Sequence, residues 1–187
     1  MKPVFGYCYF TVDTSGQFTE TIIFEYLDEN QEFAKIMSDS LKLHEELVKI
    51  RENMQSFIDA EEVKVNGMRV RPRIIKVLTG IAGDPCRPYI SFIVRFRGNL
   101  KDGLNMYEDK YEEDVAEYDY VVTWVLPPGS RVVDAEFGFK YEVGPDNVIS
   151  FKVPKGSIAP GYEKILFYLP PLSERHVTDA SSTGGGF

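Results

Sequence analysis

Apolar and polar residues alternate from Val4 to Val12 and again from Gln17 to Tyr26, the period-two pattern of half-buried strands. Between them Asp13-Thr14-Ser15-Gly16 offers turn residues able to close an antiparallel hairpin. In the second run Phe18, Ile22, Phe24 and Tyr26 share one face. From about Gln31 to Asp59 the period lengthens to about 3.5, with Phe33, Ile36, Leu43, Leu47, Ile50, Met54 and Phe57 on one stripe that Ser40 interrupts. Lys42 with Glu46 and Glu45 with Lys49 place opposite charges one turn apart on the other faces. The pattern predicts one amphipathic helix, roughly 40 Å long at the α-helical rise.

Strands return after the helix. Asn66-Gly67 sits between the short arms Val63 to Val65 and Met68 to Val70, and both residues tolerate the positive φ of a type I′ turn. Ile74 to Ile81 and Tyr89 to Arg97 read as two further strands, the second with Ile90, Phe92, Val94 and Phe96 on one face and Arg95 and Arg97 on the other. Residues 118 to 169 predict a series of short strands: Tyr118 to Leu126, Val132 to Ala135, Glu136 to Val143, Val148 to Val153 and Tyr162 to Leu169. Pro127-Pro128-Gly129, Gly144-Pro145-Asp146-Asn147 and Pro154-Lys155-Gly156 separate them with turn chemistry. From Pro170 onward apolar residues thin out, and Ser181 to Gly186 has the composition of a flexible tail.

These elements predict an α+β, β-rich fold: antiparallel sheets with one long amphipathic helix packed on a face, and a sandwich-like C-terminal half. Residues 1–169 form one compact domain, or split into an α+β part over 1–100 and a small β-sandwich over 118–169, because 101–117 is polar and acidic. An aromatic content of 13% agrees with abundant strands, since planar rings pack well on pleated surfaces.

Charge and chemistry narrow the function less. The net charge of −8 opposes non-specific attraction to nucleic acid or anionic lipid. The N-terminus lacks the continuous apolar run of a signal peptide, and no stretch is long and apolar enough to insert in a membrane, so a cytoplasmic location is expected. Cys8 and Cys86 have no metal-site spacing and read as buried thiols or as a single disulfide, which would suit a thermophile. No Asn-x-Ser/Thr sequon occurs.

The charges are segregated. Nine cations and the single anion Asp84 lie between Val63 and Lys101, whereas Asp102 to Asp119 holds eight anions against Lys110 alone. Arg69, Arg71 and Arg73 fall on alternate positions and would share a sheet face, which Arg95 and Arg97 would extend on a neighbouring strand. Guanidinium forks suit phosphate and carboxylate, making these five an expected anion site, with Tyr89 as a stacking surface. The alternative is that the acidic segment folds back over them, or that they are the solvated side of a sheet. Asp109, Glu112, Glu113 and Asp114 supply carboxylates for a hard cation but lack the glycine and ligand spacing of a calcium loop, so a solvated loop or edge strand is the competing reading. His44 beside the helix stripe and His176 in the tail form no metal pair or triad, and no glycine-rich phosphate loop occurs.

No cofactor is implied. The leading expectation is a non-enzymatic binding or assembly module, with an anion or acidic partner on the arginine face, or a protein partner or second copy docked on the helix or a sheet edge. A rival is a small metal-dependent hydrolase or nucleic-acid-processing enzyme in which the arginines hold phosphate and one of the four acids works with a divalent metal. A third is an extracellular β-sandwich from a longer, membrane-anchored protein.

Overall fold

Asp13 closes the first hairpin: its Oδ1 accepts hydrogen bonds from the N–H groups of Ser15 (2.8 Å) and Gln17 (3.0 Å) and from the Ser15 hydroxyl (2.7 Å). Gly16 completes the turn at φ +82°, and a Cβ there would meet the Gly98 carbonyl at 2.1 Å, so only glycine fits. The strands so joined are β1 (Lys2–Val12) and β2 (Gln17–Leu27). In this computed structural model, which describes residues 1–175, the protein is β-rich, with several largely antiparallel sheets and few helices. Of the flexible tail expected over 170–187, residues 176–187 lie outside the described residues, and Leu172–Arg175 forms a short helix.

The stripe over 31–59 forms two helices where one is expected. Helix α1 (Glu32–Met37) stops, and Asp39, in extended conformation, starts α2 (Ser40–Ala60) by accepting hydrogen bonds from Leu41 N–H (3.1 Å) and Lys42 N–H (3.2 Å). An aspartate able to cap a new helix outcompetes continuation of the old one. The restart also shifts the buried stripe, so that Phe57 is exposed and Ile58 is buried.

Next come the small hairpin β3 (Lys64–Val65) and β4 (Met68–Arg69), with Asn66 and Gly67 both at positive φ, then β5 (Arg73–Ile81) and β6 (Pro88–Arg97). The acidic stretch expected as a solvated loop or edge strand contains β7 (Gly103–Lys110) and a short β8 (Asp114–Val115), with Glu112 and Glu113 exposed in the loop between them. Strand β9 (Asp119–Val125), β10 (Arg131–Glu136), β11 (Tyr141–Val143), β12 (Val148–Val153), β13 (Ile158–Ala159) and β14 (Tyr162–Leu169) follow. The single strand expected over Glu136 to Val143 is interrupted at Gly138, φ +72°, where a Cβ would lie 2.6 Å from Pro160.

Two main sheets result, with orders β11-β12-β9-β1-β2-β6-β5 and β10-β14-β7-β3-β4, plus the pair β13-β8. The C-terminal strands do not make a sheet pair of their own. Apart from β13 they divide between the two main sheets, and β9 runs parallel to β1, the one departure from antiparallel pairing among the described strands. Strand β7 is paired on both sides: Glu108 stands opposite Lys64 on β3 and Lys164 on β14 and accepts from the Tyr162 hydroxyl at 3.1 Å, while Asp109 stands opposite Glu163.

One face of the seven-stranded sheet receives both covers. Phe10, Phe18, Val122, Trp124 and Phe151 from it pack with Val65, Tyr107, Ile165, Phe167 and Leu169 of the five-stranded sheet. Farther along, Ile22, Ile74, Ile90, Phe92 and Val94 pack with Phe33 and Ile58 and with Leu43, Ile50 and Met54 of the helices. Space remains where the second sheet gives way to the helix.

Candidate functional site: an acidic pocket between the sheets

Side chains alternate across a strand, so every second residue of β1, β2, β7 and β14 points into the space between the layers. On β14 that row is Glu163, Ile165, Phe167 and Leu169; on β7 it is Asn105, Tyr107 and Asp109; on β2 it is Phe18, Glu20, Ile22 and Phe24. Each row contains one carboxylate where a core residue would be usual. The three converge with Glu61, which caps the C-terminal end of α2, on a pocket of about 390 Å³.

Asp114 and Glu117 add two more carboxylates to its wall, and Tyr107, Tyr111, Tyr118 and Tyr120 supply ring faces. Phe10, Phe24, Met54, Val63 and Val122 complete the apolar part. Among the described residues the wall contains no Lys, Arg or His. The Tyr111 hydroxyl donates to Glu163 Oε1 at 3.4 Å, but the buried Oδ1 of Asp109 has no hydrogen-bond partner. Glu20 is half-buried in the pocket wall and, among the described residues, has no hydrogen-bond or ion-pair partner.

Removing carboxylates from water favours their neutral form, and crowding them together adds to that. Burial first, then the charges of Asp109 and Glu163, raise Glu61 to about 8. Burial and Asp109 likewise raise Glu163 to about 8 against the Tyr111 hydrogen bond. Asp109 rises to about 6, held down in part by the Tyr107 hydroxyl and the Lys110 N–H. Glu20 is pushed well above the usual carboxylate range by burial and then by Glu61, Asp109 and Glu163. The same burial and charges raise the Cys8 thiol and the Tyr107 phenol. Burial and mutual repulsion thus favour the protonated forms of Glu61 and Glu163 at neutral pH.

The arginines expected to act together are spread over two sheets. Arg69 lies on β4 of the five-stranded sheet, where its Nη2 donates to the Glu61 carbonyl at 3.4 Å, and Arg71 sits in the link that follows. Arg73 begins β5 and pairs with Asp59 at 2.9 Å. Arg95 stands directly across from Arg73, while Arg97 donates to the Ser15 carbonyl at 3.4 Å. Only Arg73, Arg95 and Arg97 share a sheet, so the expected five-residue face does not form, because the chain crosses between layers at Pro72. The four expected metal ligands divide: Asp109 points inward and Asp114, though exposed, lines the rim of the same pocket, whereas Glu112 and Glu113 are exposed outside it. Among the described residues no three His, Cys, Asp or Glu side chains are placed to hold one metal ion. Cys8 and Cys86 are free thiols.

No family model matches this chain. No curated protein matches it either. Solved structures resemble it loosely in shape. The folded domain of LppM from Mycobacterium tuberculosis, determined by NMR, is 10% identical with a TM-score of 0.44, covering 94% of this chain and 96% of that one. A crystal structure of an aminopeptidase N family protein from Idiomarina loihiensis is 8% identical with a TM-score of 0.38, covering 86% of this chain and 29% of that one. No helix among the described residues is long and apolar enough to cross a membrane.

Sequence reasoning missed Glu20, Glu61 and Glu163. The signal for Glu20 was present: it interrupts the face carrying Phe18, Ile22 and Phe24, just as Glu163 shares a face with Ile165, Phe167 and Leu169. A carboxylate inside an otherwise apolar alternating row marks either a sheet end or a site.

Proposed function

We propose that this protein is a non-enzymatic binding module and that its small-molecule ligand occupies the pocket between the two sheets. The observation that carries this reading is a space of about 390 Å³, within the size range of ligand sites, where polar side chains from four separate elements converge beside an apolar core. We further read residues 1–169 as one unit built around it, since β1 pairs with β9 and β7 with β14.

Protein-observed NMR with a fragment library tests the reading. Shifts should cluster on Met54, Val63, Val122 and Ala159, all in the pocket wall. Hits confined to the outer face around Tyr9, or none, would remove it. Turnover of a substrate that disappears in Glu163→Gln would replace it with an enzyme, since carboxyls poised near neutral pH are suited to general acid catalysis.

The register that sets Arg73 across from Arg95 favours a second reading, an exposed anion site completed by Arg97. Salt-sensitive retention on heparin, lost in the Arg73→Ala/Arg95→Ala/Arg97→Ala variant, is the result it requires.

A further inference from the structure

The wall of the pocket contains six carboxylates and, among the described residues, no cationic side chain, so its charge is unanswered from within. The carboxylates do not gather around one point: no three are placed for a single metal ion. Four of them come instead from β2, the end of α2, β7 and β14, with Asp114 on β8 and Glu117 after it at the rim, around a space with room for roughly a dozen waters at ~30 Å³ each. Asp109 Oδ1 is buried without a partner, and the half-buried Glu20 carboxyl in the same wall is also unpartnered, so the wall holds acceptors that no protein donor satisfies. Between the acids lie apolar stretches and tyrosine rings, surfaces that accept methylenes and the faces of ammonium groups.

Resting on the reading of this pocket as a ligand site, we propose that the ligand is a linear organic polycation, a di- or polyamine whose separated ammonium groups meet Glu20, Glu61, Asp109 and Glu163. A metal ion concentrates its charge at one point and suits these positions poorly. A monovalent quaternary ammonium would leave most of the acids unanswered. The chain between the amines lies against the aromatic and aliphatic wall.

Binding then exchanges protons for ammonium groups. Glu61 and Glu163, raised to about 8, hold protons at neutral pH in the empty pocket, Glu20 is pushed in the same direction by burial and then by Glu61, and an ammonium alongside favours the ionised forms. Facing these acids are Cys8 on β1, Tyr107 on β7, Tyr111 after it, Tyr118 and Tyr120 at the start of β9, and the rim acids Asp114 and Glu117; none of them brings a positive charge.

Spermidine is the probe. Calorimetry in 150 mM NaCl, run at pH 7 in two buffers of different ionisation enthalpy, should show saturable one-to-one binding with release of about one proton or more. Affinity should fall at least tenfold at pH 5. In Glu61→Gln/Asp109→Asn/Glu163→Gln, whose side chains match the neutral acids in shape, affinity should fall at least a hundredfold with the circular dichroism spectrum unchanged. If that variant is unfolded, the pH 5 comparison and proton count on the wild type decide. Weak, many-site binding unaffected by the variant would overturn the proposal, as would calcium binding as tightly as spermidine. Nile red or 1,4-butanediol shifting pocket resonances while spermidine does not would overturn the polycation and leave the pocket reading standing. Loss of every pocket response, fragments included, would end both.

Discussion

The interior between the two sheets has an apolar end and an acidic end, built by the same strands. Following β14 inward from Leu169 through Phe167 and Ile165 leads to Glu163; following β7 leads from Asn105 through Tyr107 to Asp109. At the apolar end Phe10 stacks on Trp124 with centroids 3.8 Å apart and planes within 1°, and Tyr107 leans on the indole at 4.7 Å. At the other end the same alternation delivers carboxylates into a space that is left unfilled. One pattern thus produces both the core and the candidate site, and they differ in what offsets desolvation. Ring packing offsets it at the first; at the second, burial favours the protonated form of the acids.

The largest expected effect breaks the apolar end. Trp124 is fully buried, and Trp124→Ala should cost about 4 kcal/mol through lost burial and the cavity left behind. For a chain of this size that lowers Tm by roughly 10 °C, readable by calorimetry. Trp124→Phe should cost under ~1.5 kcal/mol, because it keeps most of the ring and removes an indole N–H that has no partner. Equal losses for the two would mean the stack with Phe10 contributes little.

The second effect acts on the acidic end and has the opposite sign. Glu61 and Glu163 titrate near 8 in the folded protein and near ~4.3 in the unfolded chain, so between those values the folded state holds more protons. Their contribution to stability is full below about pH 4 and is lost as pH rises to about 8. Wild-type Tm should therefore fall between pH 5 and pH 9. Glu61→Gln/Glu163→Gln should match the wild type at pH 4.5 and exceed it by at least about 2 kcal/mol at pH 9, a lower bound that discounts the full linkage for the partial exposure of both acids, because the amides cannot ionise. Thermal melts across that range check it, and parallel curves for the two proteins would show that the acids are already well solvated.

The apolar end was far more legible in the sequence than the acidic one. Alternation placed the strands of the first hairpin and the face Ile90, Phe92, Val94 and Phe96, because burial of one face enforces period two. The type I′ signal of Asn66-Gly67 was equally direct. Sequence could not show that Asp109, Glu163 and Glu61, distant along the chain, would meet, since sheet order decides that. It also misread β7, whose acids resemble a solvated loop until Lys64 and Lys164 stand across from Glu108. The arginines misled for a related reason: regular spacing from Arg69 to Arg73 suggested one strand, but the chain changes sheets between them.

The smallest effect sits where the two ends join. Cys8 shares the inward row of β1 with Phe10 and lines the pocket, and burial followed by the charges of Glu20, Glu163 and Glu61 raises its thiol well above the ordinary range. Alkylation requires the thiolate, so at pH 9 iodoacetamide should modify Cys8 at least ~10-fold more slowly than the same thiol in the unfolded chain. Steric shielding and charge both predict that much. They part in Glu61→Gln/Glu163→Gln, where two of the named charges are gone: the rate at Cys8, read by peptide mass spectrometry, should rise about twofold to fivefold if the acids act on the thiol through space. An unchanged rate would assign the protection to packing alone and place Cys8 with Phe10 in the apolar end.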